Sequence, residues 1–264
     1  MSLKILDENG EEVSTKPAGE IEIIKLSASS VKTYDQCPRK YYYTYIEKAP
    51  RKQWTHFDLG NLCHKTLEIF HQVYMQEGTK KKRSLAKLMG HSFKVARRDF
   101  PNMGDDLLSE GKALLMDYLE YVRSNGMPKV KGVETAFDFM IRDDVRIRGF
   151  LDRLDLMKDG RYHIVDYKTT KNEKYLDKFQ LSVYGLWLKE KYPEIETFKG
   201  SYVLLRHGAK LKEYEFNLED IDKTKKELLS YADSIRNEDA WTPVPTILCR
   251  WCDFNNICPA QQAW

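Results

Sequence analysis

Residues 148–171, RGFLDRLDLMKDGRYHIVDYKTTK, constrain this chain more than any other stretch. Two segments of alternating apolar and polar residues flank Lys158-Asp159-Gly160, a pattern that predicts a β-hairpin with a fixed register. The first arm carries Asp152; the second carries Asp166 and Lys168. Residues i and i+2 of a strand share a face, so Asp166 and Lys168 project together. An acid two residues before a lysine, with another acid on the preceding strand, sets a hard divalent cation beside a fixed positive charge. That arrangement suits hydrolysis of a phosphodiester.

Taken singly, Asp152, Asp155 and Asp166 read more readily as surface charges paired with Arg148, Arg153 and Lys168. Together they weigh against that. Asp166 lies between Ile164-Val165 and Tyr167 at the end of an apolar strand, where an ionised group needs a partner or a metal. A lysine on its face is expected to lower the Asp166 pKa and keep the carboxylate anionic. Carboxylate oxygens suit Mg²⁺ or Mn²⁺. Such an ion polarises the phosphate and activates a water, with Lys168 holding that water or stabilising the developing charge.

Periodicity organises the rest. Residues 1–20 are polar and read as a loose lead-in, followed by a short strand at 21–26. Ser27 to Ser30 offer N-cap hydroxyls for one helix reaching 46, which would hold Tyr34, Cys37, Tyr41, Tyr42 and Tyr45. Apolar spacings of three and four then predict helices at 57–75, 84–99 and 105–124, closed by Gly126 and Pro128. From 131 the period becomes two, with strands expected at 131–141, 145–157 and 162–168. A helix over 175–192 stops at Pro193, strands at 198–205 and 211–216 flank Gly208, and Asn217 or Asp220 caps a last helix to 236. The fold class is therefore α/β, a central mixed sheet flanked by helices. We expect a single domain over 21–264, with a helical lobe at about 55–125, the catalytic sheet at about 130–216 and a cysteine-bearing tail at 241–264.

Bulk properties exclude some classes. The 264 residues are 42% apolar and 31% charged, with no apolar run long enough to cross a membrane and no signal segment. A cytoplasmic protein with no membrane partner is expected. A net charge of +3 permits nucleic-acid binding without arguing for it, and the basic run at 80–83 reads as solvated surface. Five cysteines without a secretion signal argue against a disulfide framework.

Three further groups of residues bear on chemistry. His64 lies early on a helix with Glu68 and His71 at i+4 and i+7; it is either structural or a metal ligand that reaches the hairpin. Gln180 and Tyr184, also at i and i+4, either pack the core or reach the metal site or a nucleic-acid backbone. Cys249, Cys252 and Cys258 lie within ten residues, and Cys37 is far upstream. Soft thiolates select zinc or an iron–sulfur cluster, and a three-plus-one split favours a 4Fe–4S cluster over Zn²⁺, which prefers two close pairs. Such a cluster would staple the two ends of the domain, shielded by Trp251, Phe254 and Pro259.

With these pieces located, the chain resembles the PD-(D/E)XK nuclease superfamily, in particular its RecB-like branch with an iron–sulfur staple. That branch includes the AddB nuclease domain and the CRISPR-associated exonucleases. The resemblance runs from about residue 25 to 259 and rests on Cys37-Pro38-Arg39-Lys40-Tyr41, Gly60-x3-His64, Gly149-Phe150-Leu151-Asp152, Asp166-Tyr167-Lys168, Gln180-x3-Tyr184 and the terminal cysteines. It implies a restriction-endonuclease-like core and a divalent ion held by His64, Asp152, Asp166 and the Tyr167 backbone carbonyl. Lys168 would be the catalytic lysine, with Gln180 and Tyr184 in the motif after it. Cys37, Cys249, Cys252 and Cys258 would hold the cluster, leaving Cys63 as a packed thiol.

The implied activity is Mg²⁺- or Mn²⁺-dependent exonucleolytic cleavage of DNA, single-stranded or with a free end, in end processing, repair or recombination. The helices between His64 and Asp152 would roof a channel for the strand. No G-x-x-x-x-G-K-[ST] occurs, so a separate helicase, recombination or CRISPR partner would supply any motion along DNA. The alternative is a catalytically silent single-stranded-DNA-binding or assembly module of a larger nuclease–helicase complex.

Overall fold

A computed structural model describes residues 22–52, 58–77 and 84–260; the expected lead-in, the start of the 57–75 helix and the basic run at 80–83 fall outside them. Strand β1 (Ile24–Leu26) leads into α1 (Ala28–Gln36), α2 (Pro38–Tyr41) and a π-helical turn over Tyr42–Ile46. Helices α3 (Asp58–Glu77), α4 (Leu85–Ala96) and α5 (Asp105–Asn125) follow, then strands β2 (Val130–Arg142), β3 (Val145–Leu156) and β4 (Tyr162–Lys168). Helix α6 (Phe179–Lys191), strands β5 (Thr197–Leu204) and β6 (Lys210–Asn217) and helix α7 (Leu218–Arg236) complete the core, ahead of a 3₁₀ turn at Ile247–Trp251.

The sheet is mixed and has six strands, in the order β1-β3-β4-β5-β6 with β2 also on β3. Strand β3 is its axis. One edge pairs antiparallel with β2; the other takes β1 in parallel at Val145–Ile147 and β4 antiparallel at Arg153–Leu156. Between those two partners the second edge is unpaired, and Asp152 sits where pairing with β4 ends. Gly149 permits this stretch to lie close to β2, because a Cβ there would stand 2.6 Å from the Phe137 ring. One face of the sheet packs on α1, α6 and α7 through residues such as Val31, Ile164, Leu181, Leu188, Phe198 and Leu228. The other packs on α3–α5 through Cys63, Leu67, Phe70, Leu115, Val165 and Val203. Burial of this apolar surface on both faces supplies the main drive to fold.

Two expected helices begin or end elsewhere. The single helix from Ser30 to 46 is broken at Cys37, whose φ of −167° and ψ of 107° are extended. Pro38 is the cause: its ring disfavours helical geometry at the preceding residue, while its fixed φ suits the first turn of α2. Ser27 caps α1 by accepting the Ser30 N–H at 3.1 Å. The helix expected from 175 starts at Phe179, where the Asp177 carboxylate accepts the Phe179 N–H at 2.9 Å; residues Glu173–Tyr175 form a 3₁₀ turn. Asn217 and Asp220 together form the capping box of α7.

Candidate active site

Burial and register bring the hairpin acids together. Asp166, on β4, is 2% exposed, and its Oδ2 lies 2.7 Å from Lys168 Nζ on the same face. The Asp152 carboxylate accepts the Tyr167 N–H at 2.8 Å, which ties β3 to β4 beyond their last paired residues. Helix α3 delivers His64: Nδ1 stands 3.2 Å from Asp152 Oδ2. Gly60 allows that approach, since a Cβ there would meet Thr169 Oγ1 at 3.1 Å just past β4. Helix α6 delivers Gln180, whose amide donates to Asp166 Oδ1 at 2.9 Å while its carbonyl accepts from Lys168 at 3.0 Å. The same amide reaches the buried Tyr184 hydroxyl at 2.5 Å. Gln180 and Tyr184 thus meet the acid–lysine pair, and Gln180 holds its geometry.

The electrostatics differ from the sequence expectation in one respect. Lys168 does lower the Asp166 pKa, but burial raises it more and Asp152 adds to the rise, leaving it at about 6. For Asp152, burial also raises the pKa, yet the His64 charge and the Tyr167 N–H outweigh it and the carboxyl titrates below its usual range. Burial pulls the His64 imidazole down, and Asp152 more than reverses this, to about 9. Asp166 Oδ2, although close to the lysine, makes no hydrogen bond of good geometry. A buried carboxylate oxygen with a free lone pair, a second carboxylate and an imidazole form a donor set that fits Mg²⁺ or, better, Mn²⁺.

Sequence reasoning missed Glu134. It lies on β2 opposite Asp152, between the pairs Val133–Arg153 and Thr135–Leu151. Among the described residues, His64, Glu134 and Asp152 are the group whose ligand atoms all lie within 4.8 Å of one another. They line a cavity of about 570 Å³ with Lys65, Asp99 and Phe100. Burial, then the charges of Asp152 and Glu68, push the Glu134 carboxyl up to about 7. The signal was the β2–β3 register, which the sequence leaves open.

Other expected positions need correction. Glu68 pairs with Lys65 at 2.8 Å, and His71 is fully buried against Tyr118 and Arg153, in the cluster of Asp155 rather than that of Asp152 and Asp166. Asp155 and Arg153 are a buried pair at 2.9 Å, not surface charges. Cys37, Cys249, Cys252 and Cys258 line one cavity of about 400 Å³ with Tyr43 and Phe254. Backbone N–H groups of Val244 and Thr246 point at Cys37 and Cys249 sulfurs at 3.5 and 3.4 Å. Phe254 is buried there and lines the cavity, whereas Trp251, 56% exposed, and the exposed Pro259 are not among its lining residues. Cys63 is a buried thiol on α3 whose pKa burial pushes up to about 12. No described helix is long and apolar enough to cross a membrane.

Comparison with known proteins bears on the family and the fold. The chain is similar to a subunit of the ATP-dependent helicase/deoxyribonuclease of Streptococcus agalactiae, 25% identical over 181 residues. That match covers 64% of this chain and 16% of the relative, so the chain spans a small part of the length of the curated proteins it matches. The Streptococcus mutans protein of the same name is 50% identical over 46 residues, 17% of this chain and 4% of its own. A solved structure from Eubacterium rectale, whose assignment as an exonuclease is itself provisional, superposes with a TM-score of 0.53 at 13% identity, covering 90% of this chain and 89% of that one. That likeness bears on the fold alone. The profile of the PD-(D/E)XK nuclease superfamily matches residues 25–259, and the chain belongs to that superfamily.

Proposed function

We propose that this chain is a Mg²⁺- or Mn²⁺-dependent DNA exonuclease that processes DNA ends. The observation carrying this reading is that α3, β3, β4 and α6 bring His64 to Asp152 and Gln180 to the Asp166–Lys168 pair, with the two sets joined by the Tyr167 N–H to Asp152. The donors for the ion would be His64, Asp152, Asp166 and the Tyr167 carbonyl; when bound, the ion supplies a Lewis acid and a water of lowered pKa. Lys168 donates to the Gln180 carbonyl and pairs with Asp166 through charge, without a well-aligned hydrogen bond. Its other N–H groups would serve the attacking water or a phosphate oxygen, where a fixed cation stabilises negative charge as it develops. Gln180 prevents the ammonium from swinging away, and Tyr184 fixes Gln180 in turn.

Several features support an iron–sulfur cluster in the cysteine cavity. Its four thiols are joined by Arg39, Lys40 and Lys52, which offset thiolate charge, and by the two N–H groups directed at sulfur. The three-plus-one spacing of the cysteines along the chain favours the cubane over zinc, whose ligands usually come as two close pairs. A brown protein absorbing near about 400 nm is the expected result, and a colourless zinc protein the contrary one. The deoxyribonuclease subunits to which the chain is similar are named as parts of helicase enzymes, and a helicase partner that feeds DNA to the site belongs to the same reading. We place the protein in the cytoplasm.

Digestion of end-labelled linear and closed circular DNA with Mn²⁺ tests the activity. Linear DNA should be degraded, the circle spared, and Asp166→Ala should be inert on both. Binding of single-stranded DNA without turnover in any divalent ion would instead favour the silent module.

A further inference from the structure

Glu134 stands outside the residues used so far. Its backbone has a φ of +44° in the middle of β2, a left-handed geometry that side-chain-bearing residues avoid. Strain of this kind persists where the surroundings impose it, and it gathers at ligand sites. The side chain is half-buried, and among the described residues it has no hydrogen-bond or ion-pair partner. Its neighbour Glu68, by contrast, is held by Lys65 at 2.8 Å and Gln72 at 3.1 Å. A half-buried carboxylate left unpaired is unfavourable unless a cation completes it. Glu134 faces His64 and Asp152 with all three ligand atoms inside 4.8 Å.

We infer that Glu134 is a further ligand of a divalent cation, Mn²⁺ or Mg²⁺, bound between His64 and Asp152. The inference rests on the nuclease reading above and adds a donor to it. Charge supports the assignment. His64 can bind an ion only as the neutral imidazole; with it neutral, the carboxylates of Asp152, Asp166 and Glu134 against the ammonium of Lys168 leave a charge of minus two, which one divalent ion cancels. The strained backbone at 134 turns the carboxylate toward Asp152, and Gly132 makes room for the distortion, since a Cβ there would meet Thr135 Oγ1 at 2.7 Å.

Mn²⁺ binding by the full chain without DNA, followed by calorimetry and by the electron paramagnetic resonance of free Mn²⁺, tests this. Glu134→Gln should weaken binding by about tenfold or more, as loss of a ligand does, and Glu68→Gln by less than about twofold. Glu134→Asn, which suits the positive φ, should bind as weakly as Glu134→Gln and guards against misfolding as the cause. Asp166→Asn serves as the reference. If Asp166→Asn loses affinity while Glu134→Gln stays within about twofold of the parent, this inference fails and the nuclease reading stands. Equal losses in Glu134→Gln and Glu68→Gln would also overturn it, as a general charge effect. A parent protein that binds no Mn²⁺ would overturn both.

Discussion

Neighbouring residues of β3 and β4 build two polar clusters of opposite character. One holds Asp152, Asp166 and Lys168 with His64 and Gln180 and opens into a cavity that Glu68, Asp99, Glu134 and Lys65 also line, so that acids outnumber basic groups. The other is closed: Arg153 donates to the hydroxyls of Tyr118 and Tyr167 at 2.6 Å each and to Asp155 at 2.9–3.1 Å, with His71 at 3.2 Å. All are buried. Pleating accounts for the separation, because Arg153 and Val165 pair in register and face α3–α5, whereas Asp166 and Lys168 face α6. An unpaired buried carboxylate oxygen is common to both, at Asp155 Oδ1 and at Asp166 Oδ2, so the difference teaches that an enclosed counter-ion serves stability, whereas acids that open onto a cavity leave room for a ligand.

The largest expected effect is on cleavage. Asp166→Ala or Lys168→Ala should lower the rate on linear DNA by about 10³-fold or more while the folded baseline is kept. Next is the closed cluster. Arg153→Leu strands the Asp155 carboxylate and should destabilise the chain by about 3–5 kcal/mol in urea denaturation. Arg153→Leu with Asp155→Leu should recover much of that loss; a double variant no better than the single would break the comparison. Gln180→Leu should cost about 10–100-fold in activity, since it positions Lys168 rather than reacting, with little change in denaturation midpoint.

The effect that is smallest near neutral pH concerns acid. Burial, then the charge of Arg153, holds His71 neutral well below its usual pKa and His163 down to about 3. The unfolded chain protonates both near about pH 6.5, so it binds protons that the folded chain refuses. Stability should therefore fall as the pH drops from about 6.5 toward 3, with a slope of up to about 1.4 kcal/mol per pH unit for each histidine. Urea midpoints measured at several pH values should show a shallower slope in His163→Gln; an unchanged slope would remove His163 from the account.

The pattern of two around Lys158-Asp159-Gly160 was enough to read the hairpin, because alternation and turn chemistry are local. The four-residue spacing of Gln180 and Tyr184 left core packing and site roles open, and the fold resolved it: Tyr184 is buried and Gln180 reaches both Asp166 and Lys168. Non-local features were hidden. Glu134 meets Asp152 only through the β2–β3 register, and His71 lies about 10 Å farther along α3 than His64, on nearly the same face, where it meets Arg153. The break at Cys37 is legible in Pro38, although the helix-compatible tyrosines around it mask the signal.

The most direct test of the central claim compares Asp166→Asn with Asp155→Asn, two isosteric changes on opposite sides of one hairpin. Release of an end label from linear DNA with Mn²⁺ is measured beside the thermal midpoint of each protein. Asp166→Asn should abolish release and leave the midpoint unchanged or higher, since a buried, poorly balanced carboxylate is removed. Asp155→Asn should lower the midpoint and keep the activity of the fraction that remains folded. Full release by Asp166→Asn, or loss of release by folded Asp155→Asn, would contradict the account.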